Sequence, residues 1–109
     1  MEIRGTTAVI TGGGSGIGRA VSERLARDGA SVVVADVDSA GGAETIKRIE
    51  GTGGRALFVR ADVTSEQDTR RMLDTALREF GRLDILHNKR ASAPGLRGTR
   101  WWSPSVGTW

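Results

Sequence analysis

A glycine-rich turn near the start of the chain joins two segments whose hydrophobic residues follow different periods. Residues 6–10 are a short β-branched apolar run that predicts a buried strand. After the turn, Ile17, Val21 and Leu25 recur every four residues and predict an apolar stripe along a helix from Gly16 to Asp28. The turn itself reads Thr11-Gly12-Gly13-Gly14-Ser15-Gly16-Ile17-Gly18. The chain is therefore expected to begin with a strand–turn–helix unit.

The same alternation of strand and helix patterns continues as far as residue 86. Further strands are predicted at residues 31–35, 56–59 and 83–86, and further helices at the apolar stripes of residues 43–49 and 72–80. The sequence Thr64-Ser65-Glu66-Gln67 has the form of a capping box before the last helix. The order β-α-β-α-β-α-β predicts an α/β fold with parallel strands and right-handed crossovers. An antiparallel α+β domain would need alternating strands and tight hairpins, and the sequence has neither.

The position of the glycine turn, after a strand and before a helix, favours binding of a pyrophosphate. Glycines let the backbone approach phosphate oxygens closely, and the free amides at a helix N-terminus attract negative charge. A glycine turn with only a structural role is the alternative. A phosphate-loop NTPase would need Lys and then Ser or Thr after the second glycine of its motif, where this chain has Arg19 and Ala20.

An acidic residue, Asp36, follows the second strand and lies 18 positions after Gly18. A carboxylate there can accept hydrogen bonds from both hydroxyls of an adenosine ribose. It would repel a 2′-phosphate, and Ser15 in the turn supplies no cation to offset that repulsion. These two residues predict a preference for NAD over NADP. The alternative is a solvated residue at the end of a strand, as we expect neighbouring Asp38 to be.

Residues 5–88 resemble the short-chain dehydrogenase/reductase family. The family pattern Thr-Gly-x-x-x-Gly-x-Gly is met from Thr11 to Gly18, the segment 61–64 is similar to the family's Asp-Val pair beside adenine, and residues 81–86 are similar to its approach to the fourth strand. The resemblance implies a Rossmann-type sheet of order 3-2-1-4 and NAD-dependent conversion between an alcohol and a ketone. The cofactor contacts it implies are the backbone of Gly12, Ser15, Gly16, Ile17 and Gly18 for pyrophosphate, Asp36 for ribose, Asp62 and Val63 for adenine, and Asn88 on the fourth strand.

The resemblance stops after Asn88, where the family continues Asn-Ala-Gly and this chain has Lys89-Arg90-Ala91. We therefore expect a dinucleotide-binding half-domain at residues 1–88 and an irregular tail at residues 89–109. The family uses a tyrosine, a lysine four residues later and a serine for proton transfer coupled to hydride transfer. The chain contains no tyrosine, so no catalytic residue is assigned and we expect cofactor binding without turnover. With no cysteine and a single histidine, His87, no metal site is expected.

The tail differs sharply from the rest in composition. Residues 1–88 hold twelve basic and thirteen acidic side chains, whereas residues 89–109 hold four basic ones, no acid and all three tryptophans. Three interpretations stay open. The tail is out-of-frame translation of a longer reductase gene, or an arm whose arginines and tryptophans contact nucleic acid, or an appendage of a non-catalytic nucleotide-binding or interaction module. We favour the first.

The remaining expectations concern the setting of the protein. No apolar run is long enough to span a membrane or to act as a secretory signal, and the chain has no cysteine. We therefore expect a cytoplasmic protein without a membrane partner. Family members often form homo-oligomers, but the helices that usually pair their subunits would follow the matched segment. Elements that follow the matched segment in the family would also cover apolar surface of the sheet and helices. Because this chain does not match them, we expect marginal stability or self-association.

Overall fold

Four strands and three helices alternate along residues 2–87, the part of the chain that the computed structural model describes. Their bounds are β1 Thr7–Thr11, α1 Gly16–Arg27, β2 Ser31–Asp36, α2 Ser39–Gly51, β3 Arg55–Arg60, α3 Glu66–Phe80 and β4 Ile85–His87. The predicted element order is confirmed, although β1 begins and ends one residue later than predicted and β4 covers residues 85–87 instead of 83–86. Asn88 and the tail at residues 89–109 lie outside the described residues.

The four strands form one parallel sheet in the order β3-β2-β1-β4. Strand β1 lies between β2 and β4, so that Val9 is level with Val33 on one side and with Leu86 on the other. Each of the first three strands is followed by a helix, as the connection of parallel strands requires. The α/β fold of Rossmann type and its predicted strand order are confirmed.

The core consists of two apolar layers, one on each face of the sheet. Successive side chains of a strand point to opposite faces, so β1 sends Val9 towards α3 and sends Ala8 and Ile10 towards α1 and α2. Met72 and Ala76 of α3 close the first layer, and Ile49 of α2 is part of the second. Both faces of the central strands are covered, which explains why their sequences are continuously apolar and do not alternate.

The predicted stripe of the first helix is confirmed in part: Val21 and Leu25 are partly buried against the core, but the most buried face lies beside them. Its buried residues are Gly18, Ser22 and Ala26, whereas Ile17 is 77% exposed. A Cβ atom on Gly18 would collide with the carbonyl oxygen of Gly12. The helix therefore lies against the glycine turn through its smallest side chains, and the larger ones sit at the edge of the contact.

The third helix begins at a cap that differs from the predicted capping box. Ser65 is the N-cap residue, and its hydroxyl accepts a hydrogen bond of 3.1 Å from the amide of Asp68. Thr64 instead donates its hydroxyl proton to Asp62. The Asp68 carboxylate does not return a bond to Ser65, because it accepts the amide of Asp62 at 2.9 Å. The N-cap therefore lies one residue later than predicted. Asp68, whose amide the cap accepts, orders the preceding loop with its carboxylate.

None of the helices formed by residues 2–87 combines the length and apolar character needed to span a lipid bilayer.

Candidate functional site

The candidate site lies where the strands end, at the carboxyl edge of the sheet. Three segments meet there: the turn between β1 and α1, the end of β2, and the loop after β3. They line a pocket formed by Thr11, Gly12, Asp36, Val37, Ala61, Asp62 and Val63. In open parallel sheets, ligands bind beside the strand at which the chain reverses its order. Here that strand is β1, which lies between β2 and β4.

The glycine turn has a backbone that other residues would not adopt easily. Gly12 and Gly16 have φ angles of +66° and +55°, in the left-handed region that favours glycine. The amide of Gly13 donates to the carbonyl oxygen of Ala35, which ties the turn to β2. Together with the tight contact between Gly12 and Gly18, these features bring the turn directly over the start of α1.

The turn presents a group of backbone amides at the N-terminus of α1. Ser15 is the N-cap residue, has an extended backbone, and makes no capping hydrogen bond with its side chain. Within residues 2–87 no group accepts a hydrogen bond from the amides of Ser15, Gly16, Ile17 and Gly18. The helix dipole adds partial positive charge at the same place. This arrangement can bind an anionic group such as a phosphate.

Asp36 lies at the end of β2 and lines the pocket. One carboxylate oxygen accepts the amide of Gly14 at 2.9 Å, and the other accepts the amide of Asp38 at 3.0 Å. An ionised carboxylate has about four acceptor sites, so these two bonds leave capacity for hydroxyl donors of a ligand. Asp38, expected to be only solvated, has a structural role: its carboxylate caps α2 by accepting the amide of Gly41.

The loop after β3 forms the remaining wall of the pocket and is fixed by α3. Asp62 accepts both the amide and the hydroxyl of Thr64, while Asp68 accepts the amide of Asp62. The bond from the Asp62 amide and then the side chain of Arg71 hold the pKa of the Asp68 carboxyl below its ordinary value. Asp68 therefore fixes the position of Asp62 and Val63 at the pocket.

Four of the nine predicted site residues line the pocket: Gly12, Asp36, Asp62 and Val63. Ser15, Gly16, Ile17 and Gly18 lie at the start of α1, which contacts Gly12 through Gly18, and Asn88 lies outside the described residues. An exposed apolar side chain, Val37, lines the pocket and is 52% exposed. Sequence reasoning missed Val37, although its place directly after Asp36 was a usable signal. It also missed Arg19 and Thr45, which contact the glycine turn on its α2 side. The sequence marks Arg19 only as a departure from the phosphate-loop motif.

His87, at the end of β4, lies at the same edge of the sheet. Burial lowers its pKa below the ordinary value for histidine, which favours the neutral ring at neutral pH. Over the described part of the chain, no group of three histidine, cysteine or acidic side chains is placed to hold a metal ion.

A Rossmann-type parallel sheet with a glycine turn of this form defines a class of nucleotide-binding α/β proteins. Residues 6–96 match the sequence family described as short chain dehydrogenase. The chain belongs to this family.

Individual relatives agree with that assignment. The chain is 44% identical over 95 residues to 3-hydroxyacyl-CoA dehydrogenase type-2 of Drosophila melanogaster, a match that covers 87% of this chain and 36% of the relative. A short chain dehydrogenase/reductase from Burkholderia phymatum, solved in complex with NAD, superposes with a TM-score of 0.77 and 40% identity over 79% of this chain and 31% of its own. A 7α-hydroxysteroid dehydrogenase solved with NADH and 7-oxo glycochenodeoxycholic acid gives a TM-score of 0.75 and 39% identity over 78% and 34%. The chain spans about a third of the length of these relatives.

Proposed function

We propose that residues 1–88 form a dinucleotide-binding half-domain of a short-chain dehydrogenase/reductase and that its ligand is a nicotinamide adenine dinucleotide. The observation that carries the proposal is the set of four amides, from Ser15 to Gly18, that find no acceptor in the described residues at the start of α1. A pyrophosphate supplies the negative charge and the acceptor oxygens that this arrangement lacks. Family members solved with NAD or NADH support the same ligand class.

The residues at the pocket fit the parts of such a ligand. The backbone of Gly12, Ser15, Gly16, Ile17 and Gly18 would hold the pyrophosphate. Asp36 would accept the hydroxyls of the adenosine ribose, and Asp62 and Val63 would flank the adenine. Asn88 stays a proposed contact on the basis of the family resemblance alone. The absence of a Cβ on Gly18 lets α1 start close under the turn, which brings these amides near the ligand.

The nicotinamide ring, when bound, supplies the chemistry of accepting or donating a hydride. We propose that a longer parent protein uses it to interconvert an alcohol and a ketone, and that the 109-residue chain binds the cofactor without turnover. The supporting observation is the absence of tyrosine from the sequence, since the family relies on a tyrosine as its acid–base group. The cytoplasmic location expected from the sequence stays part of this proposal.

We also propose that the site prefers NAD over NADP. In the proposed binding mode the Asp36 carboxylate would accept the ribose hydroxyls, so a 2′-phosphate there would add like charge at short range. Like-charge contacts cost several kcal/mol, so NADPH should bind the chain at least about tenfold more weakly than NADH.

Calorimetric titration of the full chain with NADH and with NADPH tests the proposal. Asp36→Ala removes the repulsion, so the ratio of the two dissociation constants should fall towards one, even though loss of the bond to Gly14 weakens both. Asp74→Ala removes one negative charge from α3 away from the pocket and should leave the ratio unchanged. Failure to bind either cofactor would overturn the dinucleotide site, whereas equal affinities of the unmodified chain would overturn only the preference.

A further inference from the structure

Arg19 contacts the glycine turn from the side opposite the pocket. Its side chain extends from the first turn of α1 and is half-buried between that turn and α2. One terminal nitrogen, Nη2, donates to the carbonyl oxygen of Gly14 at 2.6 Å and to that of Gly41 at 3.2 Å. Its Nε donates to the hydroxyl of Thr45 at 2.9 Å. One guanidinium thus joins α1, the glycine turn and α2.

Thr45 completes this connection from within α2. Its side chain is fully buried, and its hydroxyl donates to the carbonyl oxygen of Gly13 at 2.7 Å while accepting from Arg19. A buried hydroxyl without partners costs free energy, and here both its donor and its acceptor capacity are used. The carbonyl oxygens of Gly13 and Gly14 are therefore both held by side chains on the α2 side of the turn.

The orientation of these carbonyls determines the direction of the amides. In a planar trans peptide, the C=O of one residue and the N–H of the next point in opposite directions. Because Arg19 holds the Gly14 carbonyl against α2, the amide of Ser15 points away from α2, where no described residue accepts it. The Gly13 peptide is fixed in the same manner, with its carbonyl on Thr45 and the Gly14 amide on Asp36.

The positive charge of Arg19 also favours an anion at the open amides. Among residues 2–87, no carboxylate oxygen lies within 4 Å of its side-chain nitrogens, and its bonds go to neutral oxygens. Its direct partners are carbonyl and hydroxyl oxygens, and the Glu44 carboxylate of α2 interacts with it only at longer range, so part of its positive potential remains at the turn. This potential adds to the partial positive charge at the N-terminus of α1, next to the four open amides.

We propose that Arg19 and Thr45 are positioning residues of the pyrophosphate site. Arg19 holds the Gly14 carbonyl on the α2 side, so that the Ser15 amide faces the phosphates, and it adds positive potential next to that amide. Thr45 supports Arg19 and holds the Gly13 carbonyl, which keeps the Gly14 amide on Asp36 and fixes the turn. The inference rests on the proposed dinucleotide function. It assigns to the α1–α2 contact a role in ligand affinity beyond packing.

The test compares two ligands that differ in the pyrophosphate. ADP-ribose carries adenosine and pyrophosphate, whereas adenosine carries no phosphate. Arg19→Gln and Thr45→Val should each raise the dissociation constant of ADP-ribose about tenfold, the change expected for losing one well-placed interaction. The dissociation constant of adenosine, measured by NMR titration, should stay within about twofold because Asp36, Asp62 and Val63 keep their places.

Matched variants separate positioning from simple loss of structure. Arg24→Gln removes the same charge from an exposed position on α1, and Thr75→Val removes a hydroxyl from α3 that bonds only to its own helix. Both should bind ADP-ribose as the unmodified chain does. Thr45→Ser keeps the hydroxyl and should restore ADP-ribose binding relative to Thr45→Val. Thermal melting of each variant shows whether it is folded at the titration temperature.

The outcomes distinguish this inference from the proposed function. If the unmodified chain binds neither NADH nor ADP-ribose, the dinucleotide site is overturned, and the inference falls with it. If the unmodified chain binds ADP-ribose and the folded variants bind it equally well, only the positioning role is overturned. Equal weakening of ADP-ribose and adenosine also overturns it, because that result indicates general loss of structure. A selective loss of ADP-ribose affinity, restored by Thr45→Ser, supports it.

Discussion

At the scale of single residues, the absence of a side chain on Gly18 matters as much as the presence of side chains elsewhere. A Cβ atom there would meet the carbonyl oxygen of Gly12 and the Cα of Gly13, which are backbone atoms that cannot rotate away. We expect Gly18→Ala to cost about 1–3 kcal/mol of folding free energy, the range for overpacking a close contact. The displaced turn should also weaken NADH binding, because the amides of residues 15–18 move with it.

Gly51 provides the matched control for that substitution. It is also a helical glycine, at the end of α2, and a Cβ atom there meets nothing within 4 Å. Alanine is favoured over glycine in a helix by about 1 kcal/mol, so Gly51→Ala should leave the chain equally stable or more stable. Urea denaturation of both variants measures the difference. Equal effects of the two substitutions would contradict the close packing of α1 against the turn.

At the scale of elements, the N-cap of α3 links helix stability to the pocket wall. Ser65 accepts the amide of Asp68, and Asp68 in turn accepts the amide of Asp62 at the pocket. Ser65→Ala should cost about 1 kcal/mol, as for other N-cap serines, and should loosen the loop at residues 61–65.

Ser39→Ala is the control for Ser65→Ala. It is the first residue of α2 and is exposed, and the cap of that helix is supplied by Asp38. Ser39→Ala should therefore change stability by less than about 0.5 kcal/mol. Chemical denaturation gives both values, and amide hydrogen exchange at residues 61–65 should accelerate only in Ser65→Ala. An unchanged midpoint for Ser65→Ala would show that the cap contributes nothing.

The order of elements was predictable from sequence, whereas the contacts between elements were not. Periods of apolar residues and the glycine turn were sufficient to predict the α/β fold, because each pattern is local, whereas the sheet order followed from the family resemblance. The apolar stripe of α1 predicted the partial burial of Val21 and Leu25, but not the close contact of Gly18, which depends on a turn that only the folded chain brings near. Arg19 and Thr45 are separated by 26 residues, and neither belongs to a motif, so their joint contact with the turn left no local signal.

At the scale of the whole molecule, Asp84 connects the two ends of the described fold. Its carboxylate accepts the amide of Thr7, 77 residues away, at 2.9 Å and pairs with Arg82 at 2.6 and 2.7 Å. Asp84 is buried, and the pair with Arg82, supported by the Thr7 amide, holds the pKa of its carboxyl below the ordinary value. This group joins the start of β1 to the approach of β4 and so helps to close the sheet.

The lowered pKa gives the stability of the chain a predictable dependence on pH. The folded state binds the proton of Asp84 less readily than the unfolded state does, so the ionised group stabilises the fold above its unfolded pKa of about 3.9. That contribution is lost as the pH falls through the folded pKa. Burial disfavours the charged ring of His87 and lowers its pKa. This group therefore reduces the stability of the fold as the pH falls below about 6.5, the pKa of an unfolded histidine.

Asp84→Asn should therefore destabilise the chain by about 2 kcal/mol at pH 7, the contribution typical of a hydrogen bond to a charged group. The difference from the unmodified chain should narrow as the pH falls below about 4, since protonated Asp84 resembles the amide. Glu44→Gln breaks an exposed pair with Arg48 on α2 and should leave the stability close to that of the unmodified chain throughout this pH range. Urea denaturation from pH 3 to 8 measures all three proteins. A difference between Asp84→Asn and the unmodified chain that stays constant below pH 4 would mean that Asp84 does not close the sheet through its charge.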